Sequence, residues 1–167
     1  MKKIGFVLVL ASVFLSTGLG RYVYREPAAD QPHATLSITS DRKGVAKVQM
    51  FSEFKDAQCT PPGNVMAAFN WAKKKDRTLR LRPDETIHIL GTVQQTLYGH
   101  SREYPGLSTE YCNSVARITP VAGKAYRLSQ ATSGGCPIEL VDAETGLKPP
   151  EVEWLPITPG CGGVRLF

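Results

Sequence analysis

The chain has 167 residues, a formal net charge of +5 and a hydrophobic fraction of 42%. This length suits one domain that can bury a sizeable core. The mild charge gives no reason to expect nucleic acid as a partner, because domains that bind it carry a strong basic patch or stripe.

The N-terminus has the three parts of a secretory signal. Lys2 and Lys3 supply positive charge, an apolar run follows over residues 4–15, and small residues lead up to Gly20. This order predicts a signal peptide over residues 1–20, cleaved before Arg21. Cleavage leaves 147 residues (167 − 20) with a charge of +3, because both lysines are lost.

The alternative is that this segment remains as a membrane anchor. It runs for seventeen residues from Ile4 to Gly20, three of them glycine. A spanning helix needs about 20 apolar residues, so its length favours cleavage and a periplasmic or secreted protein. The uncleaved form would associate with the inner membrane through its N-terminus and face the periplasm. A lipid anchor is excluded because the first cysteine is Cys59.

Residues 21–33 contain two prolines and no periodicity, which predicts a disordered lead-in. Short runs that alternate apolar with polar residues follow, as is typical of half-buried strands. In the first half these runs cover residues 34–38, 46–54, 65–71, 78–82 and 87–93, with a turn at Asp84-Glu85.

The second half continues in the same style. Residues 115–121 and 125–129 flank a tight-turn sequence and are predicted to form a hairpin. Residues 137–141 predict a strand that ends in a polar turn at 142–146. The tail carries four prolines, which favours an extended path and not a helix, with a last edge strand at 164–167.

Seven or eight short strands without a long amphipathic helix predict a mainly β fold, an antiparallel sandwich or barrel. We take the antiparallel β-sandwich, over residues 34–167 with the proline-rich tail included, as the predicted fold.

Four cysteines remain after cleavage: Cys59, Cys112, Cys136 and Cys161. An even number in an oxidising compartment predicts two disulfides, with three pairings open. Zinc is disfavoured because no two cysteines lie closer than 24 residues (136 − 112), whereas zinc sites use close pairs. The predicted hairpin would bring Cys112 near Cys136, which favours that pair and leaves Cys59 with Cys161 to pin the tail.

One stretch resembles known domains. Residues 120–126, Cys136 and the turn at 142–146 are similar to small bacterial envelope domains of immunoglobulin-like or transthyretin-like build. The resemblance covers about the last third of the domain and consists of turn chemistry. It implies a sandwich in the envelope and carries over no active site.

The sequence favours a non-catalytic protein and leaves an enzyme open. No nucleophile elbow, phosphate loop or dinucleotide glycine pattern is present. His33, His88 and His100 have no metal-ligand spacing, and His88 alternates with two isoleucines so that it should face away from the core. We therefore expect no catalytic residue, no metal and no cofactor.

Two surfaces are candidates for binding an unknown protein or an anionic envelope component. The first is a cationic patch of Lys73, Lys74, Lys75, Arg80 and Arg82, which would suit anionic lipid, acidic polysaccharide or an acidic protein. Its structural alternative is an edge strand kept soluble by its charges.

The second surface is a predicted long loop over residues 96–111. It carries Tyr98, His100, Arg102 and Tyr104, and tyrosine and arginine are favoured at protein interfaces. The alternative is that these side chains fold back over the sandwich. Trp71 and Trp154 are interpreted as structural, with Trp154 anchoring the tail.

The favoured function is a non-catalytic exported module, binding or structural, of the bacterial envelope. The second hypothesis is an inhibitor or immunity-type protein that binds an envelope enzyme through the 96–111 loop. A hydrolase whose site forms only on folding, and a small outer-membrane barrel, are less favoured. Lipid-facing barrel strands of about ten residues with aromatic girdles are not evident.

Overall fold

The computed structural model describes residues 23–40, 47–70, 76–98, 107–132 and 134–163. Lys47 and residues 96–98 and 107–108 are described by their backbone alone. Several predictions fall outside these residues: the signal segment 1–20, the strand at 164–167, and the side chains of Trp71, Lys73, Lys74, Lys75, His100, Arg102 and Tyr104.

Nine strands and one helical turn form the described part of the chain. The strands are β1 Ala34–Ser40, β2 Lys47–Phe54, β3 Asn64–Phe69, β4 Asp76–Leu81, β5 Ile87–Tyr98, β6 Leu107–Ile118, β7 Ala125–Gln130, β8 Ile138–Asp142 and β9 Val152–Leu155, followed by α1 Pro159–Gly162. One sheet has the order β4-β1-β7-β8 and the other β3-β2-β5-β6-β9. The predicted mainly β sandwich is confirmed, and its strand pairs are antiparallel except for β1 with β7, which run parallel.

Period-two alternation places the core between the two sheets. In β1, Leu36 and Ile38 are fully buried, whereas Thr35 and Ser37 lie on the outer side and are only partly covered. The same alternation buries Leu79 in β4, which pairs with Leu36. Each such side chain contributes about 1.5–3 kcal/mol through its burial, so the inner faces hold the sheets together.

A second cluster covers the outer face of the five-stranded sheet. It contains Phe54, Leu90 and Val115 together with Cys59 and Cys161. The tail crosses this face and its α1 turn brings Cys161 to Cys59, so the larger sheet is packed on both sides.

Both predicted disulfide pairs are confirmed. Cys59 bonds to Cys161 with their Cα atoms 5.0 Å apart, and Cys112 bonds to Cys136 with theirs 5.9 Å apart. The first closes a separation of 102 residues and the second one of 24. These bonds indicate an oxidising location outside the cytoplasm.

The predicted hairpin of residues 115–121 with 125–129 is wrong. β6 pairs with β5 and β9, whereas β7 lies in the other sheet between β1 and β8. The turn-like residues between them form a connection from one sheet to the other, where Thr35 donates its N–H to the Lys124 carbonyl at 2.9 Å. Gly123 adopts φ 79°, a left-handed conformation that suits glycine.

The predicted lead-in at 21–33 is packed against the domain from residue 23 onward. Val23 forms a parallel bridge with Val65, and Tyr24 donates its N–H to the Val65 carbonyl at 2.9 Å. The Tyr24 side chain is only 5% exposed and belongs to the main core. The ring of this tyrosine supplies apolar contact with the core, which the mixed polar and proline-containing composition of the segment did not indicate.

The proline-rich tail also differs from its predicted extended form. Residues 152–155 form β9, and Pro159–Gly162 form one helical turn capped by the Thr158 hydroxyl. Pro159 is compatible with this turn because it occupies the first helical positions, where a backbone N–H has no helical partner.

Candidate functional site

The most distinctive surface feature is a groove along one side of the sandwich. It lies between β8, the last strand of the four-stranded sheet, and β9, the last strand of the five-stranded sheet. We call it the edge groove; it has a volume of about 650 Å³. Its lining includes Ser114, Gln130, Ile138, Glu139, Trp154 and Ile157.

The strand register explains why the sandwich is open here. β8 starts at Ile138 opposite Gln130, and β9 ends at Leu155 opposite Val115. The connection 143–151 joins the two strands at their other ends. The two edges are therefore tied together at one end and open at the end where β8 begins and β9 stops.

Large apolar side chains are exposed in this groove. Trp154 is 49% exposed and Ile157 is 43% exposed, although both are residue types that proteins usually cover. Trp154 pairs with Ala116, whose side chain belongs to the main core, so the indole points toward the space between the sheets. The tryptophan predicted to anchor the tail is thus a half-exposed wall of a groove.

A lysine side chain lies over the Trp154 ring. The Nζ atom of Lys148 lies 4.5 Å from the ring centroid, within the range of a cation–π contact. Lys148 belongs to the connection between β8 and β9, so this contact holds the indole beside the edge of β9.

A hydrogen-bond network forms the floor of the groove. Gln130 is fully buried and donates through Nε2 to the Gly91 carbonyl at 3.0 Å and to the Cys136 carbonyl at 3.2 Å. Gln49, also fully buried, donates to the Gln130 carbonyl at 3.0 Å. Ser114 donates its hydroxyl hydrogen to the Cys136 carbonyl at 2.7 Å. These bonds join β7 to β5 across the floor and tie the floor to the Cys112–Cys136 disulfide.

A carboxylate marks the rim. Glu139 is exposed, lines the groove, and has the Ser129 hydroxyl 3.5 Å from its Oε2 atom. Among the described residues it takes part in no ion pair, whereas Glu151 and Glu153 pair with Lys124 and Arg117.

The backbone of β8 is unpaired along the groove. The Pro137 carbonyl accepts from the N–H of Ala131, the residue after β7, at 3.1 Å, and the Ala143 N–H donates to the Ala125 carbonyl at 2.9 Å. In this antiparallel register the odd-numbered residues of β8 are therefore the ones that bond to β7. The N–H and C=O groups of Ile138 and Leu140 therefore point away from β7. No other strand pairs with this edge in the described part of the chain.

β9 follows the same rule on the opposite side of the groove. Thr119 donates its N–H to the Glu151 carbonyl, so residues 151, 153 and 155 face β6. The backbone groups of Trp154 consequently face away from β6, at the free edge.

Other depressions are less suited to binding. A cavity of about 730 Å³ lies on the outer face of the larger sheet and is lined by Met50, Phe54 and Val65. Met50, Phe54 and Val65 are buried or half-buried, unlike Trp154 and Ile157. A smaller cavity of about 270 Å³ lies beside Cys112 and Cys136. The edge groove alone of these three combines strongly exposed apolar side chains with free strand edges.

The cationic patch is only partly described. Arg80 lies 3.4 Å from Glu26 in an ion pair, and Arg82 donates to the Arg25 carbonyl at 2.9 Å and lies 3.8 Å from Glu85. These two arginines hold the N-terminal segment on the domain. Their charges are thereby matched within the protein, and this observation favours the structural interpretation of Arg80 and Arg82.

The described residues of the predicted loop over 96–111 are strand. β5 continues to Tyr98 and β6 starts at Leu107, with Thr96 paired to Thr109. Among the described residues, the last pair between β2 and β5 is Lys47 with Gln95. Long strands were missed because polar residues and tyrosines conceal their alternation. Of the predicted binding residues in this segment, only the backbone of Tyr98 is described.

The histidines form no shared site. His33 is partly exposed and its Nδ1 lies 2.7 Å from the Gln31 carbonyl oxygen. His88 faces away from the main core, as expected, yet it is only 9% exposed. Burial lowers the pKa of His88, and the nearby Arg117 lowers it further. Among the described residues, no group of three or more His, Cys, Asp or Glu side chains is placed to hold a metal ion.

Sequence reasoning missed the edge groove. The available signal was the alternation of Val152 with Trp154 just before Pro156, which predicts a short edge strand with a tryptophan on its inner face. The strand that Trp154 faces depends on the order of strands in the two sheets, and the local alternation of residues does not predict that order.

Comparison with known proteins gives no relative. No protein-family model, curated protein or solved structure matches this chain. The resemblance to immunoglobulin-like or transthyretin-like envelope domains therefore stays a prediction. Within the described ranges, no helix is long and apolar enough to cross a membrane.

Proposed function

We propose that the protein is a non-catalytic binding module that works in the periplasm or outside the cell and holds its partner in the edge groove. The observation that carries the proposal is the exposure of Trp154 and Ile157 in a groove with a hydrogen-bonded floor. Tryptophan at a partly exposed concave site is the residue type that most often dominates binding energy.

The compartment is part of the proposal. Two disulfides close the domain, and the N-terminal segment has the order of a cleavable signal. A form that keeps this segment would instead be anchored at the inner membrane. In that form the N-terminal residues 23–26 lie along β3 and β4, the edges of the two sheets opposite to β9 and β8. The groove would then lie on the side of the domain away from its tether.

The envelope resemblance is compatible with this function. Immunoglobulin-like and transthyretin-like domains are sandwiches, and a sandwich in an oxidising compartment is a common scaffold for recognition. The proposal does not depend on that family assignment, because the groove is defined by residues of this chain.

Site-specific photo-crosslinking in cells tests the proposal. A benzophenone amino acid placed at Ile157 should give a discrete adduct with a partner of the envelope fraction. The matched control is the same amino acid at Leu147, which is 71% exposed and does not line the groove. The adduct from Ile157 should disappear in the Trp154→Ala variant.

Equal adducts from both positions, or an adduct from Ile157 that survives Trp154→Ala, would contradict a role for the groove. Circular dichroism of each variant checks that the fold is retained. Trp154 is half exposed at the end of an edge strand, so its replacement by alanine is expected to leave the core intact.

A second function is favoured by a separate observation. Among the described residues, β5 and β6 pair over twelve residues each, and the Cys112–Cys136 disulfide ties β6 to the segment before β8. A long strand pair held by a disulfide suits an inhibitor or immunity-type protein that inserts into an envelope enzyme. The triple variant Tyr98→Ala, Arg102→Ala, Tyr104→Ala should then abolish a stoichiometric complex while leaving the Ile157 adduct unchanged. Loss of the Ile157 adduct in this variant would show that the two surfaces bind one partner.

A further inference from the structure

We infer that the partner in the edge groove is an extended polypeptide segment that adds a strand to the free edge of β8, with apolar side chains toward the groove and a basic side chain near Glu139. The inference rests on the proposed function, because it names the class of partner for the same groove.

The backbone gives the first argument. Ile138 and Leu140 present N–H and C=O groups away from β7, and these are spaced two residues apart along the strand. Two residues of a strand span about 6.8 Å, which is also the repeat of an incoming strand. Strand addition to an open sheet edge uses main-chain hydrogen bonds for affinity. A small apolar molecule would leave this row of donors and acceptors unmatched.

The side chains give the second argument. A strand added to β8 would place every second side chain on the inner side of the sheet, where Ile138 and Leu140 of β8 lie. These incoming side chains would meet Trp154 and Ile157 across the groove. Alternation of apolar with polar residues is therefore the pattern required of the partner.

The charge gives the third argument. Glu139 lies on the outer side of β8 next to the groove and has no cationic partner among the described residues. Cross-strand neighbours on the outer side of a sheet interact directly, and opposite charges there are favourable. A lysine or arginine at one of the polar positions of the partner strand would pair with the Glu139 carboxylate.

The arrangement also explains why the edge is available. Free edges are normally protected by charges, bulges or covering segments. Here β8 is only five residues long and carries Glu139 as its second residue. This carboxylate discourages pairing with an acidic strand or with β8 of a second copy of the chain. Pairing of two β8 strands would bring two Glu139 carboxylates near one another. A basic, alternating segment avoids this repulsion.

Synthetic octapeptides test the inference with the oxidised full protein as purified from cells. The probe is acetyl-Thr-Val-Lys-Val-Thr-Val-Thr-Val-amide, labelled with a fluorophore, and binding is followed by anisotropy. Two further peptides carry N-methyl groups on either the odd or the even residues. One of these should lose binding and the other should keep it, because only alternate N–H groups face β8.

Protein variants locate the bound peptide. Trp154→Ala should weaken binding by about tenfold or more, as expected for a central aromatic contact. Glu139→Lys should weaken the lysine peptide by about fivefold and strengthen a peptide with glutamate at that position, as a surface ion pair predicts. Glu144→Lys is the matched control, since Glu144 is an exposed carboxylate on the turn after β8 and does not line the groove. It should leave both affinities unchanged.

The outcomes separate this inference from the proposed function. Equal binding of the parent peptide and both N-methylated peptides would overturn strand addition. Failure of the peptides together with Trp154-dependent binding of the neutral dye Nile red would also overturn it, while the groove would stand as a site for small apolar molecules. Dimerisation of the protein that is reversed by Trp154→Ala would identify a second copy as the occupant and contradict the inference. If no crosslink forms from Ile157 and neither the peptides nor Nile red bind, both the inference and the proposed function are contradicted.

Discussion

The hydroxyl group of Tyr126 donates to Oε1 of Glu151 at 2.8 Å, in the interior at one end of the sandwich. The same carboxylate oxygen accepts from Lys124 at 2.8 Å, and the N–H of Val121 donates to the Tyr126 oxygen at 3.1 Å. Tyr126 is fully buried. This one phenol therefore joins the connection before β7 to the residue before β9, and so joins the two sheets.

Replacement of Tyr126 by phenylalanine should lower the free energy of unfolding by about 1–3 kcal/mol. The variant keeps the apolar contacts but leaves the Val121 N–H without its acceptor and Glu151 with one donor fewer. Urea unfolding measures the change. The Glu151→Gln variant, alone and combined with Tyr126→Phe, gives the coupling between the two residues. A Tyr126→Phe variant as stable as the parent would show that this link does not join the sheets.

The same site predicts the response to acid. Burial raises the pKa of Glu151, but hydrogen bonds from Lys124 and Tyr126 outweigh this effect and hold its pKa below the ordinary value of 4.5. Because the folded-state pKa is lower than the unfolded-state pKa, the ionised carboxylate stabilises the fold, and this stabilisation is complete at pH values above the unfolded-state pKa. The stabilisation is lost as the pH falls through the lowered pKa.

Unfolding free energies measured between about pH 2.5 and pH 7 should therefore fall less steeply at the acid end in Glu151→Gln than in the parent protein. Lys124 stays positively charged throughout this range in both proteins, because its ordinary pKa of 10.5 already lies far above pH 7 and the hydrogen bond to Glu151 only raises it further. Parallel curves for the two proteins would place the acid sensitivity elsewhere.

The two disulfides should differ in their effect on stability. In the loop-entropy description, closure of a 102-residue separation contributes about 4.7 kcal/mol and closure of a 24-residue separation about 3.4 kcal/mol. The double variant Cys59→Ser, Cys161→Ser should accordingly lose more stability than Cys112→Ser, Cys136→Ser. It also removes two members of the outer cluster. The reverse order in urea unfolding would show that the second disulfide does more than close a loop.

The effect of substitutions in the N-terminal segment on stability shows whether this segment is packed against the domain or is only a spacer. Tyr24→Ala should destabilise the domain by about 3–5 kcal/mol, because it removes a large side chain from the core. The neighbouring Val23 is 54% exposed, and Val23→Ala should change stability by no more than about 0.5 kcal/mol. Thermal unfolding of both variants checks this. Equal, small effects would restore the interpretation of residues 21–33 as a disordered lead-in.

The export prediction can be checked by intact mass. Protein from fractionated bacterial cells should begin near Arg21, lie in a soluble envelope fraction and resist thiol alkylation until it is reduced. The matched control is the same sample reduced before alkylation, which should gain four labels, one for each cysteine. A full-length species in the membrane fraction would favour the anchored form, and four free thiols before reduction would contradict the disulfides.

Local alternation predicted much of the fold. Leu36 with Ile38, and Leu79 with Leu81, are spaced two apart, and all four are buried as this spacing requires. Strand partners were harder to predict. The turn-like sequence around Gly123 is compatible with a hairpin, but β7 pairs with β1, whose sequence lies about ninety residues earlier. Such pairing depends on the packing of the whole core and not on the turn.

The disulfide prediction shows the same limit. Cys112 and Cys136 do form a bond, yet β6 and β7 are not a hairpin. The two cysteines meet because β8 follows β7 along the open side of the sandwich, where the Cys136 carbonyl accepts from Ser114. The groove beside them could not be predicted, because Trp154 becomes exposed only through the order of the strands.

Amide hydrogen exchange by NMR, on the protein alone and in complex with the partner recovered by crosslinking, tests the role of the edge groove most directly. In the free protein the amides of Ile138, Leu140 and Trp154 should exchange faster than those of Glu139 and Val141, which bond to β7. In the complex we expect protection to rise at Ile138, Leu140 and Trp154. Protection that appears instead on the outer face of β1 or along the β5–β6 hairpin, with these three amides unchanged, would contradict the proposed binding site.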